Sequence, residues 1–404
     1  MEGPFIKAKA IIEKLNEAGY EAYFVGGSVR DFLLNRPIDD VDIATSALPE
    51  EVEALFPKTI PVGLKHGTVV VIHEDECYEV TTFRVDGDYQ DFRRPSKVEF
   101  VSSLEADLRR RDFTINAIAM NYQGSIIDPL RGEKDLHNKY IQTVGDADER
   151  LLEDPLRMMR ACRFVSQLNF ELSEDTKKSI KKNASYLSKI SVERILIEFE
   201  KLLTGKAIKK AVKLIIELGL YQYLPQLSNK EKELHLFAEV CSNKVLNLDE
   251  MWTLLLVILK VENIDGFFKQ WKNSNERMKA CQRLLNAHEQ LQKSAALSAY
   301  DVYTYSFEVL KSSIKLYCIV ENKQSEMMLS ELQEIYDKLP ILSRKQLAIT
   351  GNDLMTIFNK RGGPWLSKTI EMVERAVVNG TVVNNKADIK EWLLTCNPQL
   401  ENNY

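Results

Sequence analysis

The sequence is short of the residues that build stapled or metal-knuckle folds. Its six cysteines (Cys77, Cys162, Cys241, Cys281, Cys318 and Cys396) stand far apart with no CxxC pair, and its five histidines are equally dispersed. That pattern argues against a disulfide framework and a His/Cys zinc centre, and it predicts reduced thiols in a cytoplasmic protein. Long apolar runs are missing too. The best of them, Met251 to Leu259, stops at Lys260, well short of the roughly 20 residues a bilayer needs. The first twenty residues carry charge throughout, so no signal peptide is expected. With 17 Gly and 12 Pro in 404 residues, the chain is neither collagen-like nor wholly disordered. A net charge of −5 gives no overall pull toward nucleic acid, so any such pull has to be local.

What is present suggests several domains, at about 150 residues each. Up to about residue 145 the patterning mixes α and β. Phe5, Ile11, Ile12 and Leu15 fall at helical spacing before Gly19. EAYFVGG reads as a buried strand ending in a glycine turn, SVRDFLL as a helix, and DVDIAT as a second strand. GTVVVIHEDECYEVTTFRV reads as a hairpin, and the stretch 83–95 as a mobile loop. Beyond residue 145 the apolar period is 3.6 almost throughout, as in RLLEDPLRMMRACRFVSQL and VERILIEFEKLL, with no repeat of fixed length. The expected fold class is therefore an α+β head followed by an all-α remainder. Soft breaks fall near Gly145, Gly205 and Ser294.

Four constellations can carry chemistry. Gly26-Gly27-Ser28-Val29-Arg30-Asp31 follows a strand and opens a helix, which suits either a phosphate cradle or an ordinary strand-to-helix turn. In Asp40-Val41-Asp42-Ile43, strand alternation aims both carboxylates one way. They suit Mg²⁺ beside nucleotide phosphates, or else a solvated strand face. Arg109-Arg110-Arg111 precedes the apolar Phe113, Ile115 and Ala117, and calls for an anion or for pairing with Glu105 and Asp107. Arg157, Arg160 and Arg163 recur along one helix face with Asp154 a turn before them.

The Asp154/Arg157 pair deserves its own chemistry. A carboxylate only accepts, which suits the exocyclic amine of cytosine or adenine. A guanidinium only donates, which suits cytosine O2 and N3 or adenine N1. Uracil and guanine present oxygen where the amine is needed, so such a pair would accept C and A and refuse U and G without a template. The competing reading makes Asp154 an N-cap, since Pro155 suits the first helical position. Further on, residues 177–213 hold eleven Lys or Arg against three Glu, a local net of +8 that suits either a phosphodiester backbone or plain solvation.

GGS followed by D-h-D-h resembles the signature of the DNA polymerase β-like nucleotidyltransferases. The set GGSVRD, DVDIATSA, RRDFTINAIA, DPLRGEKDL and EDPLRMMRACRF is similar in order and spacing to the class II tRNA nucleotidyltransferases, the CCA-adding enzymes. ISVERILIEFEKLL and the C-terminal GGPWLSKTIEMVERAVVNG extend the resemblance across the chain, in its Gram-positive form. The resemblance implies a polymerase β-like catalytic head (1–145) and a helical base-recognising neck (146–205), body (206–294) and tRNA-binding tail (295–404). It implies addition of C, C and A to the tRNA 3′ end from CTP and ATP, with pyrophosphate released. On it, Asp40 and Asp42 are catalytic metal ligands for Mg²⁺, and Gly27, Arg30 and Arg111 hold phosphates and sugar. Asp154 and Arg157 read the base, supported by Arg160 and Arg163. The segment Arg84 to Pro95 resembles the loop involved in the switch from C to A. Glu79 is a candidate third carboxylate. No His-Asp dipeptide occurs, so no phosphohydrolase domain is expected. A poly(A) polymerase or a partial CC- or A-adding enzyme remains the alternative, and the oligomeric state stays open, a homodimer included.

Overall fold

The computed structural model describes residues 3–63, 67–87, 98–241, 246–294 and 296–396. It divides into two compact units, residues 1–248 with 265–273, and residues 249–264 with 274–404.

The first unit begins with α1 (Pro4–Glu17), whose Phe5, Ala8, Ile11, Ile12 and Leu15 form one buried stripe. β1 (Ala22–Val25) runs into Gly26, and α2 (Gly27–Leu33) starts at once. β2 (Asp42–Thr45) and α3 (Pro49–Leu55) follow, then β3 (Thr59–Gly63), β4 (Thr68–His73) and β5 (Glu76–Thr82). β6 (Arg84–Asp86) pairs antiparallel with β7 (Val98–Phe100), so the start of the stretch read as a loop is a strand. Residues 88–95 of that segment lie outside the described residues. α4 (Leu104–Arg109), β8 (Ala119–Met120), β9 (Ile126–Ile127) and α5 (Gly132–Asn138) complete the head.

The main sheet has seven strands in the order β3-β4-β5-β2-β1-β8-β9. β2 and β5 run parallel and every other neighbouring pair antiparallel. The β4–β5 hairpin turns on Glu74 and Asp75, with φ of 49° and 62°, the left-handed pair that matches strand twist. Val25, Ala44, Phe83, Leu108, Ala117 and Ala119 are buried together as a core cluster of the head.

β10 (Tyr140–Ile141) then pairs parallel with β11 (Glu171–Leu172), and between them lie α6 (Ala147–Glu153) and α7 (Leu156–Leu168). α8 (Glu174–Asn183), α9 (Val192–Leu203) and α10 (Ile208–Glu217) follow. α7 is buried around most of its circumference and packs on both α9 and α10. Gly205 permits this docking: a Cβ there would lie 2.2 Å from Ser166 Oγ. Ser166 Oγ in turn donates to the Leu202 carbonyl at 2.7 Å.

The second unit is helical among its described residues. One cluster joins Ala287, Leu291, Val302, Leu310, Ile314 and Leu332, and another joins Ile349, Leu354, Val373, Val377, Ile389 and Leu393. Buried Glu374 accepts from Tyr303 Oη and Arg344 Nη2, each at 2.5 Å. Among the described residues, no helix is long and apolar enough to cross a membrane.

Candidate active site

The glycine turn is a steric requirement. Gly26 has φ +73°, and a Cβ there would lie 3.0 Å from Arg111 Nη1 and 3.6 Å from Asp42 Oδ2. One bend of backbone thus faces a guanidinium from just beyond α4 and a carboxylate from the neighbouring strand. Val25 is the register partner of Asp42, so β1 ends where the carboxylate begins.

That register corrects one expectation. Asp40 and Asp42 do not share a strand; only Asp42 does. β1 turns into α2 after Val25, which leaves Asp40 without a strand partner on that side. The alternation survives even so, with Asp40 exposed, Val41 buried and Asp42 half-buried. Across the parallel pair, Asp42 lies opposite Glu79. Burial raises the Asp42 carboxyl above its ordinary range, Glu79 adds to the effect, Arg111 opposes it, and Asp40 adds again. These like charges fit a divalent cation. Among the described residues no group of three His, Cys, Asp or Glu gathers as a metal cage. Mg²⁺ does not need one, since it commonly takes one or two carboxylates plus substrate phosphates.

The three arginines separate into different roles. Arg109 pairs with exposed Glu105 at 2.6 Å, as a surface salt bridge. Arg110 and Arg111 share buried Asp107 at 2.7 and 3.1 Å. Burial would raise the Asp107 carboxyl, but Arg111 and then Arg110 outweigh it and hold it low. Asp107 thus fixes Arg111 against the Gly26 bend.

Sequence reading assigned no role to Asp112 or Asn116, which knit the site together. Asp112 accepts from Arg160 Nε and Nη2 at 2.7 and 2.5 Å and from Asn116 Nδ2 at 3.0 Å. Asn116 Oδ1 accepts from Arg30 Nη1 at 2.7 Å. Burial would raise the Asp112 carboxyl, yet Arg160, the Asn116 amide and Arg157 hold it well below the usual carboxylate range. The signal was the polar Asp112, Thr114 and Asn116 alternating with apolar residues in DFTINAIAM, where buried polar groups require partners.

Asp154 is an N-terminal cap, but not of the expected kind. Its Oδ1 accepts from the Leu156 N–H at 3.2 Å, while the Arg157 N–H goes to the Asp154 main-chain carbonyl at 2.9 Å. Arg194 of α9, also missed from sequence, donates to Oδ1 and Oδ2 at 3.2 and 2.7 Å. A carboxylate has about four acceptor positions, so among the described residues one remains on Oδ2. Arg157 Nη1 donates to Glu153 and to the Arg150 carbonyl, at 2.5 and 2.6 Å. Arg163 meets Glu198 at 3.0 Å. Burial and the neighbouring Arg160 push the Arg163 guanidinium down to about 10, against Glu198 and Asp112.

All nine residues singled out from sequence border one cleft of about 1010 Å³. Glu79 is not among its lining residues. The basic stretch 177–213 is less cationic than its count, because carboxylates outside it answer the lysines. Lys182 pairs with Asp148 and Lys210 with Glu171, each at 2.5 Å, while Lys209 and Lys213 share Glu239 at 2.5 and 2.7 Å.

A seven-stranded sheet with a glycine-opened helix beside an aspartate, followed by helices that bring arginines to the same cleft, defines a nucleotidyltransferase. Comparison with known proteins narrows the class. Residues 22–142 match the family described as Poly A polymerase head domain, 169–231 that described as probable RNA and SrmB-binding site of polymerase A, and 244–393 that described as tRNA nucleotidyltransferase domain 2 putative. The CCA-adding enzyme of Geobacillus sp. (strain WCH70) is 46% identical over 394 residues, 98% of each chain. That of Geobacillus stearothermophilus is 46% identical over 403 residues, 100% of each. The Bacillus stearothermophilus CCA-adding enzyme, solved in complex with CTP, superposes with a TM-score of 0.92 at 44% identity and full coverage of both chains. The chain belongs to the CCA-adding enzyme family.

Proposed function

We propose that this chain adds C, C and A in turn to the 3′ end of tRNA from CTP and ATP, with Mg²⁺ and without a template. The observation that supports this most directly is the single cleft shared by the glycine bend, the aspartates and the Asp154/Arg157 pair. The RNA 3′-hydroxyl attacks the α-phosphorus, a new phosphodiester bond forms, and the bond to pyrophosphate breaks. Asp40 and Asp42 would hold the metal, with Glu79 a candidate third carboxylate. Bound there, Mg²⁺ supplies activation of the hydroxyl and charge stabilisation at phosphorus.

The remaining work falls to the chain's own groups. Gly27, Arg30 and Arg111 orient the phosphates and sugar, and Arg160 and Arg163 add positive charge along the same wall. Asp154 uses its remaining acceptor position for the amine of cytosine or adenine. Arg157 exchanges a main-chain partner for the base edge. Uracil or guanine would set a carbonyl against the carboxylate and leave buried groups unpaired, at a cost of about 1–3 kcal/mol each. The same head (1–145), neck (146–205), body (206–294) and tail (295–404) division is proposed, with the tail taking tRNA. The scattered cysteines, which form no disulfide among the described residues, support a cytoplasmic setting.

The test supplies tRNA lacking CCA with labelled CTP, ATP, or both. Two C additions with CTP, then one A and arrest with both, is the expected result. Repeated A addition would identify a poly(A) polymerase, and a stop after CC or a need for preformed CC would identify a partial enzyme.

A further inference from the structure

Three guanidiniums converge on one aromatic ring in the first unit. Arg163, Arg30 and Arg160 lie 4.3, 5.2 and 5.5 Å from the centroid of Phe164. The ring is 3% exposed and meets Phe113 edge-on at 5.7 Å, with 85° between the planes. Arg30 comes from α2 beside the glycine bend, whereas Arg160 and Arg163 come from α7.

Like charges this close in a buried setting repel, and something must offset the repulsion before any nucleotide arrives. Asp31, which accepts from Arg30 Nε and Nη2 at 3.1 and 2.7 Å, does so in part, as do Asp112 and Glu198, but a carboxylate occupies N–H donors as it neutralises. A ring is different. It attracts the flat face of a guanidinium through its negative π cloud and leaves the N–H edges available. Arg163 illustrates the point: its Nε is buried and finds no hydrogen-bond partner among the described residues, although the guanidinium lies nearest the ring.

We infer that Phe164 is a positioning residue for nucleotide binding, holding Arg30, Arg160 and Arg163 together beside the triphosphate by cation–π attraction. The inference rests on the reading above that these arginines face phosphates. It goes beyond that reading by assigning the organising role to an uncharged residue on the neck helix. Because the triphosphate is common to CTP and ATP, both nucleotides depend on the ring equally, and base choice does not depend on it.

The test replaces Phe164 in the full-length chain with 4-fluoro-, 3,5-difluoro- and 3,4,5-trifluorophenylalanine, which keep the ring's shape while draining its π face. KM for CTP and for ATP should rise stepwise with fluorine number, to about tenfold at three fluorines. kcat should change less than about twofold, and the preference for C over U should stay put. Thermal midpoints, measured on the same samples, should not follow the KM series. A KM flat across the series, or one that tracks the thermal midpoint, overturns the inference. Arg163→Gln is measured alongside. A raised KM in R163Q with a flat fluorine series removes the role of Phe164 alone, whereas an unchanged KM in R163Q removes the phosphate reading beneath it.

Discussion

Arg194 grips Asp154 across forty positions of sequence, with its two terminal nitrogens 3.2 and 2.7 Å from the two carboxylate oxygens. A carboxylate that is to read an amine must keep one orientation, and this pair secures it. Arg194→Ala should therefore cost selectivity before it costs chemistry. The ratio of kcat/KM for CTP over UTP should fall by about tenfold, the scale of one charge-assisted hydrogen bond, when each is measured on trimmed tRNA. The Arg194→Lys variant, which keeps charge but loses the two-pronged fork, should fall between.

Asp42 sits opposite Glu79 and under the Gly26 bend. Asp42→Asn keeps the volume and removes the charge. Incorporation of both nucleotides should fall by at least about 10²–10³-fold, on the scale of other lost transition-state contacts. Binding of tRNA, followed by filter retention, should stay within about twofold of the parent value, because on the proposed division the tail takes the tRNA.

Asp112 gives a dependence on pH whose sign is fixed by its partners. Its carboxyl is held below its ordinary value of 3.8 in the folded chain. Its contribution to stability is therefore full above that value and fades as pH falls below it toward the lower native one. Asp112→Asn should unfold at least about 5 °C earlier at neutral pH. The gap to the parent should be level between about pH 5 and 8 and close below about pH 4. Thermal scans across pH, read by circular dichroism, check both points.

Much of the head was legible because its signals are local. The glycines after YFV, the alternation in DVDIAT and the two β-rich runs around HEDE each state a backbone requirement within a few residues. β1, β2, β4 and β5 lie where those signals place them. β8 and β9, of two residues each, are too short for alternation to register, and β3 ends at a glycine with exposed Ile60 and Val62. The candidate site divides in the same way. Asp42 and the arginines of α7 announce themselves by spacing, but Asp112, Asn116, Arg194 and Phe164 take their roles from distant partners. Arg30 lies 86 positions from Asn116, and Asp112 lies 48 from Arg160. No periodicity encodes such distances. The +8 of residues 177–213 is reduced by partners no local count includes, since Asp148, Glu171 and Glu239 lie outside that window.

The cysteines supply a prediction independent of catalysis. Cys77 is exposed, whereas burial pushes the Cys162 and Cys241 thiols up to about 12. A short pulse of N-ethylmaleimide at pH 7.5 on the native chain should label Cys77 and spare Cys162, Cys241 and Cys281. Peptide mapping by mass spectrometry reads the outcome, and denatured protein should label at all of them.

The most direct test of the account is the nucleotide preference of Arg157→Ala on tRNA lacking CCA, measured as kcat/KM for CTP against UTP and for ATP against GTP. If a side-chain pair stands in for a template strand, both ratios should collapse by more than about tenfold, while phosphate affinity, read by pyrophosphate inhibition, changes far less. Ratios equal to those of the parent enzyme would contradict the account, because the base would then be chosen by something other than Asp154 and Arg157.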